Sequence, residues 1–426
     1  MSTVLIAVLL VLAILGVPIG FAIGIGCLAA LMYNGSLPLV VIPQKIFNGI
    51  DSFPILAIPF FILAGNIMTH GGLNKKIIDF ANSIVGWVTG SLAMVTVVAS
   101  MFFAAISGSA VATVSAVGGV TIPAMKKEGY KPSLAAAIAS SAAVCGPIIP
   151  PSIPLIVYGA ALGMSISDLF LGAVLPGIIL GIVLCMVAYI MANKTGAPRQ
   201  GTFNGKNVLR TGKDGFWALI MPIIILGGIF GGIFTPTEAS VIAVVYSLIV
   251  GFFIYKNMKL SSLYSVISDS VVATSSIMII LATSKVSSWI VVSDHLPEVL
   301  TKGILSLTTG SVGIFIMINI ILLIIGCLME ANAAIVILTP VLIPLVTEIG
   351  MSPLQFGIIM TFNLSLGLLT PPVGASVLIG NDLAGEKMER TIASTVPFFI
   401  IGLIILMGIT FVPGLTTWLP SVLGGK

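Results

Sequence analysis

Part of this chain is a copy of another part. Residues 111–181 recur 221 positions later, without a gap, as residues 332–402. Nine glycines or prolines coincide at that single offset: Pro123 with Pro344, Gly129 with Gly350, Pro132 with Pro353, Gly146 with Gly367, Pro150 with Pro371, Pro151 with Pro372, Gly159 with Gly380, Pro176 with Pro397 and Gly181 with Gly402. With 46 Gly and 24 Pro in 426 residues, chance supplies roughly one such match over this window, so the two segments share an architecture. Glycine and proline fix backbone geometry, so breaks and turns are duplicated while the side chains between them have drifted.

The medium for this architecture is a membrane. Apolar residues make up 58% of the chain and charged residues 8%, with a mean hydropathy of +1.21, which excludes a water-soluble domain of this length. No Asp, Glu, Lys or Arg occurs before Lys45, between Asp79 and Lys126, or between Lys131 and Asp168, and each run holds a span of about 20 residues. The apolar run Val4 to Leu15 lacks a basic n-region and a small-residue cleavage site, and it resumes after Gly16-Val17-Pro18-Ile19-Gly20. It is therefore expected to be an uncleaved first span, not a signal peptide. The net charge of +4 sits in loops between apolar segments, so it reads as topology and gives no footprint for nucleic acid. Cys27, Cys145, Cys185 and Cys327 have no metal-ligand spacing and read as small core residues. His70 and His295 lack a ligand partner at helical spacing and read as loop or interface residues.

A polar stretch, 193–214, carries Lys194, Arg199, Lys206, Arg210 and Lys213 against one acid. It is expected to be a cytoplasmic linker between a first repeat, 1–192, and a second, 215–426. Charge also relates the halves. The turn with Lys126, Lys127 and Lys131 has a counterpart, Thr347 to Ser352, without Lys or Arg, whereas Ser165 to Phe170 has no cation and its counterpart Glu386 to Thr391 has Lys387 and Arg390. Equivalent loops are thus predicted on opposite sides of the membrane, as in an inverted repeat. Spans are expected near Val4–Tyr33, Pro54–His70, Gly90–Ile106, Leu169–Ala192, Phe216–Phe234, Ala239–Tyr255, Leu260–Thr283, Val312–Leu328 and Ser394–Phe411. Leu37–Asn48 and Asn74–Val88 are too short and polar to cross, and suit interfacial or bracing helices. Ala110–Pro123 and Ala333–Pro344 are also short, and the turns at Pro132 and Pro353 mark the base of a re-entrant hairpin in each half. Thr235-Pro236-Thr237-Glu238 predicts a capping box, which accounts for Glu238 structurally; the alternative is a proton-carrying role.

The chemistry concentrates at two paired features. In Gly146-Pro147-Ile148-Ile149-Pro150-Pro151-Ser152-Ile153-Pro154, prolines remove amide donors, so Pro150 is expected to free the carbonyl of Gly146, and Pro371 that of Gly367. Non-helical backbone at membrane depth survives where it is buried in protein or lines a wet cavity, and freed carbonyls are hard oxygen ligands for Na⁺. The alternative is a simple kink without a ligand. Opposite each break the repeat places a hairpin tip: Ser107-Gly108-Ser109 followed by Thr113 and Ser115, and Met329-Glu330-Ala331-Asn332. Small polar residues there let backbone approach backbone and expose oxygens to an ion, whereas small-residue packing is the plainer reading. Glu330 either stabilises the second tip or titrates.

Ser107 through Thr113, Gly146 through Pro154, Phe234-Thr235-Pro236-Thr237-Glu238-Ala239 and Leu369-Thr370-Pro371-Pro372-Val373-Gly374 together resemble the large membrane subunit of tripartite ATP-independent periplasmic (TRAP) transporters. The resemblance covers essentially the whole chain. It implies an all-α polytopic fold of the ion-transporter superfamily type, with a scaffold and an elevator-type transport bundle holding two re-entrant hairpins and two broken helices. It further implies Na⁺-coupled import of an organic acid, with sialic acid and four-carbon dicarboxylates both fitting. The expected partners are a small membrane subunit and a periplasmic substrate-binding protein, and the expected location is the bacterial inner membrane. No cofactor is implied beyond Na⁺ as coupling ion. Carried over by motif, one Na⁺ would sit among Ser107, Ser109, Gly146 and Ile149, and another among Gly326, Asn332, Gly367, Thr370 and Val373. Substrate would lie between the tips and the breaks, against Ser109, Thr113, Pro151, Ser152, Asn332 and Pro372. Ser107 and Ser109 align with Leu328 and Glu330, so the second site does not copy the first by side chain. Two rivals are a stand-alone sodium–dicarboxylate carrier of similar fold and an intramembrane hydrolase built on Ala105-Ile106-Ser107-Gly108 with His70 or His295 as base; the latter leaves the duplication unexplained.

Overall fold

The computed structural model describes residues 1–35, 37–194, 196, 204–307, 310–371 and 374–424. Its elements are helices throughout the described residues, and eight of them are long and apolar enough to cross a membrane: Phe53–His70, Pro132–Leu162, Ile166–Lys194, Pro236–Ile254, Leu260–Ser293, Ser311–Leu328, Ala331–Glu348 and Met388–Phe411.

The duplication is built in three dimensions. Helix Ser91–Ser107 and the return leg 110–127 correspond to Ser311–Leu328 and Ala331–Glu348. In the same register Pro132–Ala143 corresponds to Pro353–Gly367, Ile153–Leu162 to Ala375–Ala384, and Ile166–Lys194 to Met388–Phe411. Pro132 and Pro353 each open a helix, where a missing N–H costs nothing. Gly129 and Gly350 both take φ +85°, the left-handed turn that only glycine enters freely. The two copies also meet reciprocally. Tyr158 packs on Gly357, while Gly380, one residue past the equivalent of Tyr158, packs on Ala136, the equivalent of Gly357, and on Ser140. Such exchange of contacts is the mark of a two-fold relation.

One bond fixes the direction of that two-fold. Lys126 Nζ donates to the carbonyl of Ala384 at 2.6 Å, so the end of Ala375–Ala384 lies at the membrane face of Lys126. The span Pro132–Leu162 starts beside Lys126 and is long and apolar enough to reach the other face, leaving Gly163, the equivalent of Ala384, on the opposite side. Equivalent ends therefore face opposite ways, and the repeats are inverted.

Four expectations about spans change. Val4–Tyr33 is two helices, Ser2–Ile14 and Ile19–Asn34, folded back on each other. Gly16 at φ +81° reverses the chain and Pro18 restarts it, so Gly26 comes to rest against the Leu5 backbone. Gly90–Ile106 and Val312–Leu328 are legs of the two hairpins: the tip at Gly108 meets the Pro151 carbonyl, part-way along a span, and turns back there. A 17-residue leg and a crossing of about 25 Å have equal length, and hydropathy does not separate them. Leu260–Thr283 continues unbroken to Ser293.

The remaining helices brace these. Leu73–Val85 buries Leu73, Ile77, Ile78 and Ala81 and packs on Ser91–Ser107. Val41–Ile50 packs on Leu260–Ser293, where Gly49 permits close approach to Ala282 and Lys45 lies 5.8 Å from the Trp289 ring centroid. The Thr235 hydroxyl accepts the Glu238 N–H at 3.2 Å and the Glu238 carboxylate accepts the Thr235 N–H at 2.8 Å, completing the expected capping box.

Candidate functional site

The first tip is assembled by its own small residues. Gly108, at φ +61°, closes the helix ending at Ser107, and Ser109 caps the return leg by accepting from Ala112 N–H at 3.4 Å. Thr113 donates its hydroxyl to the Ser109 carbonyl at 2.7 Å and lies 3.2 Å from the Ser107 hydroxyl. Oxygens of Ser107, Ser109 and Thr113 are thereby gathered in one knot. Gly146 packs on it: a β-carbon there would stand 2.6 Å from the Ser109 carbonyl oxygen and 2.9 Å from Ala110 N. Pro150 has no N–H for the Gly146 carbonyl, and the helix ends at Ile148. The Ser152 hydroxyl donates to the Pro147 carbonyl and accepts from Leu155 N–H, capping the helix that resumes at Ile153. Ser107, Ser109 and Gly146 are thus brought together. Ile149 belongs to the same break, with its side chain turned toward Gly177.

The second tip differs. Glu330 caps the return leg, its carboxylate accepting from Asn332 N–H at 3.0 Å, Ala333 N–H at 3.3 Å and the Asn332 side-chain amide at 2.6 Å. Asn332 is buried, and its Oδ1 has no hydrogen-bond partner. Gly367 packs on Gly326, whose carbonyl oxygen would lie 2.6 Å from an added β-carbon. Gly146 meets Ser109, whereas Gly367 meets a residue one helical turn before the equivalent of Ser109, so the two breaks engage their hairpins in different registers. The expectation of a freed Gly367 carbonyl also fails. Pro371 removes the fourth-residue donor, but the chain tightens and Thr370 donates from its N–H at 3.0 Å and its hydroxyl at 2.8 Å. The Thr370 hydroxyl lies 2.7 Å from Cys327 Sγ. Gly326, Gly367 and Thr370 are thus brought together, Asn332 lines the same cavity as Gly326, and Pro372 and Val373 lie outside the described residues.

Both tips open on one cavity of about 870 Å³, lined by 107–112, 326, 329–332 and by Asn66, Thr69, Asn74 and Asp269. Of the expected substrate contacts, Ser109 and Asn332 face it. Thr113, Pro151 and Ser152 stand behind its wall, buried in the support of the first tip and break. Asn66, Asn74 and Asp269 escaped a reading that followed the paired tips and breaks; for Asn66 and Asp269 the signal available was a polar side chain within an apolar helix, whereas Asn74 sits in a helix that also carries Lys75, Lys76 and Asp79. Asn66 donates to the Ser270 hydroxyl at 2.8 Å, tying two walls together. Asn74 donates to Ala116 at 3.4 Å, within the widened turn Val114–Gly118 of the first return leg, which has no counterpart in the second. No Lys, Arg or His lines the cavity among the described residues, and its titratable side chains are Asp269 and Glu330. Ser107 has Thr113 and Ser109 as hydrogen-bond partners and no histidine. Among the described residues there is no cluster of three or more His, Cys, Asp or Glu.

The family profile described as "Tripartite ATP-independent periplasmic transporter, DctM component" matches residues 6–415. The chain belongs to this family. As a DctM component it is a large permease of a TRAP transporter, and it is similar to the C4-dicarboxylate TRAP transporter large permease protein DctM of Vibrio cholerae, at 36% identity over 100% of this chain and 99% of that protein. The sialic acid TRAP transporter large permease protein SiaM of the same organism is 32% identical over 96% of each chain. The isethionate TRAP transporter permease protein DctMQ of Oleidesulfovibrio alaskensis is 40% identical over 94% of this chain, which spans 64% of that protein. Among solved structures, the YdaH transporter of Alcanivorax borkumensis, described as having an unusual topology, superposes with a TM-score of 0.64 at 14% identity over 91% of this chain and 90% of its own. At that identity the likeness speaks for the fold alone.

Proposed function

We propose that this DctM component imports an organic acid across the bacterial inner membrane, coupled to Na⁺ entry, receiving its substrate from a periplasmic binding protein and working with a small membrane subunit. The observation that carries this reading is the convergence of two hairpin tips, each packed on a helix break, on one cavity without a basic side chain among the described residues. An organic anion in such a cavity lacks a fixed cation, and Na⁺ held by the oxygens of Ser107, Ser109 and Gly146 supplies the missing positive charge. A second Na⁺ near Gly326, Asn332 and Thr370 does the same from the other side; there the unpartnered Oδ1 of Asn332 is an available ligand atom. The cavity lies between the hairpins and the helices bearing Asn66 and Asp269. The hairpins and breaks therefore travel as a bundle against those helices, in an elevator movement. Relatives named for C4-dicarboxylates, sialic acid and isethionate support a small organic acid as substrate.

The test is uptake by the reconstituted complex, with binding proteins of differing specificity loaded in turn with C4-dicarboxylates, sialic acid and isethionate. Uptake should follow an imposed Na⁺ gradient. Equal uptake driven by a proton gradient in the absence of Na⁺ would sink the coupling.

A further inference from the structure

At the corner where Gly205–Asp214 meets the span Phe216–Phe230, the two helix axes differ by 69°. A helix so inclined to the following span runs close to the membrane plane. Its inner face is held by the Thr211 hydroxyl, 2.8 Å from the Ser83 hydroxyl, and by Gly212 against Phe80. The outer face presents Lys206, Arg210 and Lys213, all exposed, with Leu209 beside them at 80% exposure. Lys76 joins this edge, its ammonium 6.0 Å from the Tyr255 ring centroid, while the Tyr255 hydroxyl donates to the Asp214 carbonyl at 3.0 Å. Between the helices lies a groove of about 420 Å³, apolar but for the Lys213 at its rim and walled by Phe80, Leu209, Gly212 and Phe216. Phe216 and Trp217, exposed and 5.4 Å apart ring to ring, open the span as interfacial aromatics do.

We propose that this corner seats an anionic phospholipid, its phosphate against Lys206, Arg210 and Lys213 and an acyl chain in the groove between Phe80 and Leu209. Charge and shape agree on this occupant: Lys213 stands at an apolar slot at headgroup level, Lys206 and Arg210 are exposed on the same short helix, and the cytoplasmic leaflet is the anionic one. The seat couples the leaflet to the hairpin through Leu73–Val85, which carries Phe80 and packs on Ser91–Ser107.

Trp217 supplies the reporter once Trp87, Trp289 and Trp418 are replaced by Phe. The protein is reconstituted in phosphatidylcholine vesicles containing phosphatidylglycerol, with bromine on the acyl chains of one lipid or the other. Brominated phosphatidylglycerol should quench Trp217 more than brominated phosphatidylcholine at equal mole fraction, and the difference should fade as NaCl is raised. Lys206→Gln, Arg210→Gln and Lys213→Gln should each lower the preference about fivefold. Gly212→Leu, which fills the groove, should abolish the chain-borne quenching with the charges intact. Equal quenching by the two lipids in the low-salt protein that keeps its cations, as expected if a protein segment fills the groove, would overturn the proposal.

Discussion

Gly146 lies so close to Ser109 that a β-carbon on it would stand 2.6 Å from the Ser109 carbonyl. The contact is backbone on backbone, so neither side has a rotamer with which to yield. Gly108 repeats the pattern against the Pro151 carbonyl at 2.6 Å. Tip and break therefore form one rigid piece.

Gly146→Ala should force this piece apart, costing about 1–3 kcal/mol and most of the transport. Gly227→Ala is the control: nothing lies within 4 Å of its added β-carbon, and losing a mid-helix glycine should leave stability unchanged or raised by up to about 1 kcal/mol. Thermal unfolding and uptake of both variants decide. Equal behaviour of the two would mean that the close approach is not maintained in the membrane.

The interface between the repeats has its own probe. Tyr158 is buried and donates its hydroxyl to the Pro353 carbonyl at 2.7 Å. Tyr158→Phe keeps the ring on Gly357 and removes only that bond, so stability should fall by about 0.5–1.5 kcal/mol. The melting temperature measures it, and an unchanged value would deny the bond.

Lys127 and Lys387 should label from the same side of the membrane and Thr347 from the other. The bond from Lys126 to Ala384 requires it. Single cysteines at the three positions, in a chain with Cys27, Cys145, Cys185 and Cys327 replaced, test this with an impermeant reagent. Labelling of Lys127 and Thr347 positions from one side would refute the inversion.

The frame was legible because glycine and proline write backbone geometry directly into the sequence. Gly129 and Gly350, Pro132 and Pro353 gave the turns, and the lysines at 126, 127 and 131 gave the inversion. The depth reached by Ser91–Ser107 was not legible, since a hairpin leg and a crossing share length and hydropathy. Nor was the closure of Thr370 on Gly367, which depends on whether a turn tightens after losing one donor. Asn66 and Asp269 reach the cavity only through packing between helices that the repeat does not contain. The tips were found by their residues, whereas the wall opposite had to be seen.

The difference between the breaks makes the last prediction. Pro150→Ala restores an N–H that can reach the Gly146 carbonyl and consume it within the helix. A net hydrogen bond is worth about 0.5–1.5 kcal/mol, so Na⁺ affinity should weaken roughly two- to tenfold while maximal uptake changes less. At Pro371→Ala the new donor meets a carbonyl already held by the Thr370 N–H and hydroxyl at 3.0 and 2.8 Å, so the shift should stay under about twofold. Thr370→Val removes the hydroxyl and should alter Na⁺ dependence more than Pro371→Ala does. Na⁺ titrations of uptake for the three variants separate these cases. A Pro371→Ala shift as large as that of Pro150→Ala would show that the prolines act by bending their helices, with no distinction between an open carbonyl and an occupied one.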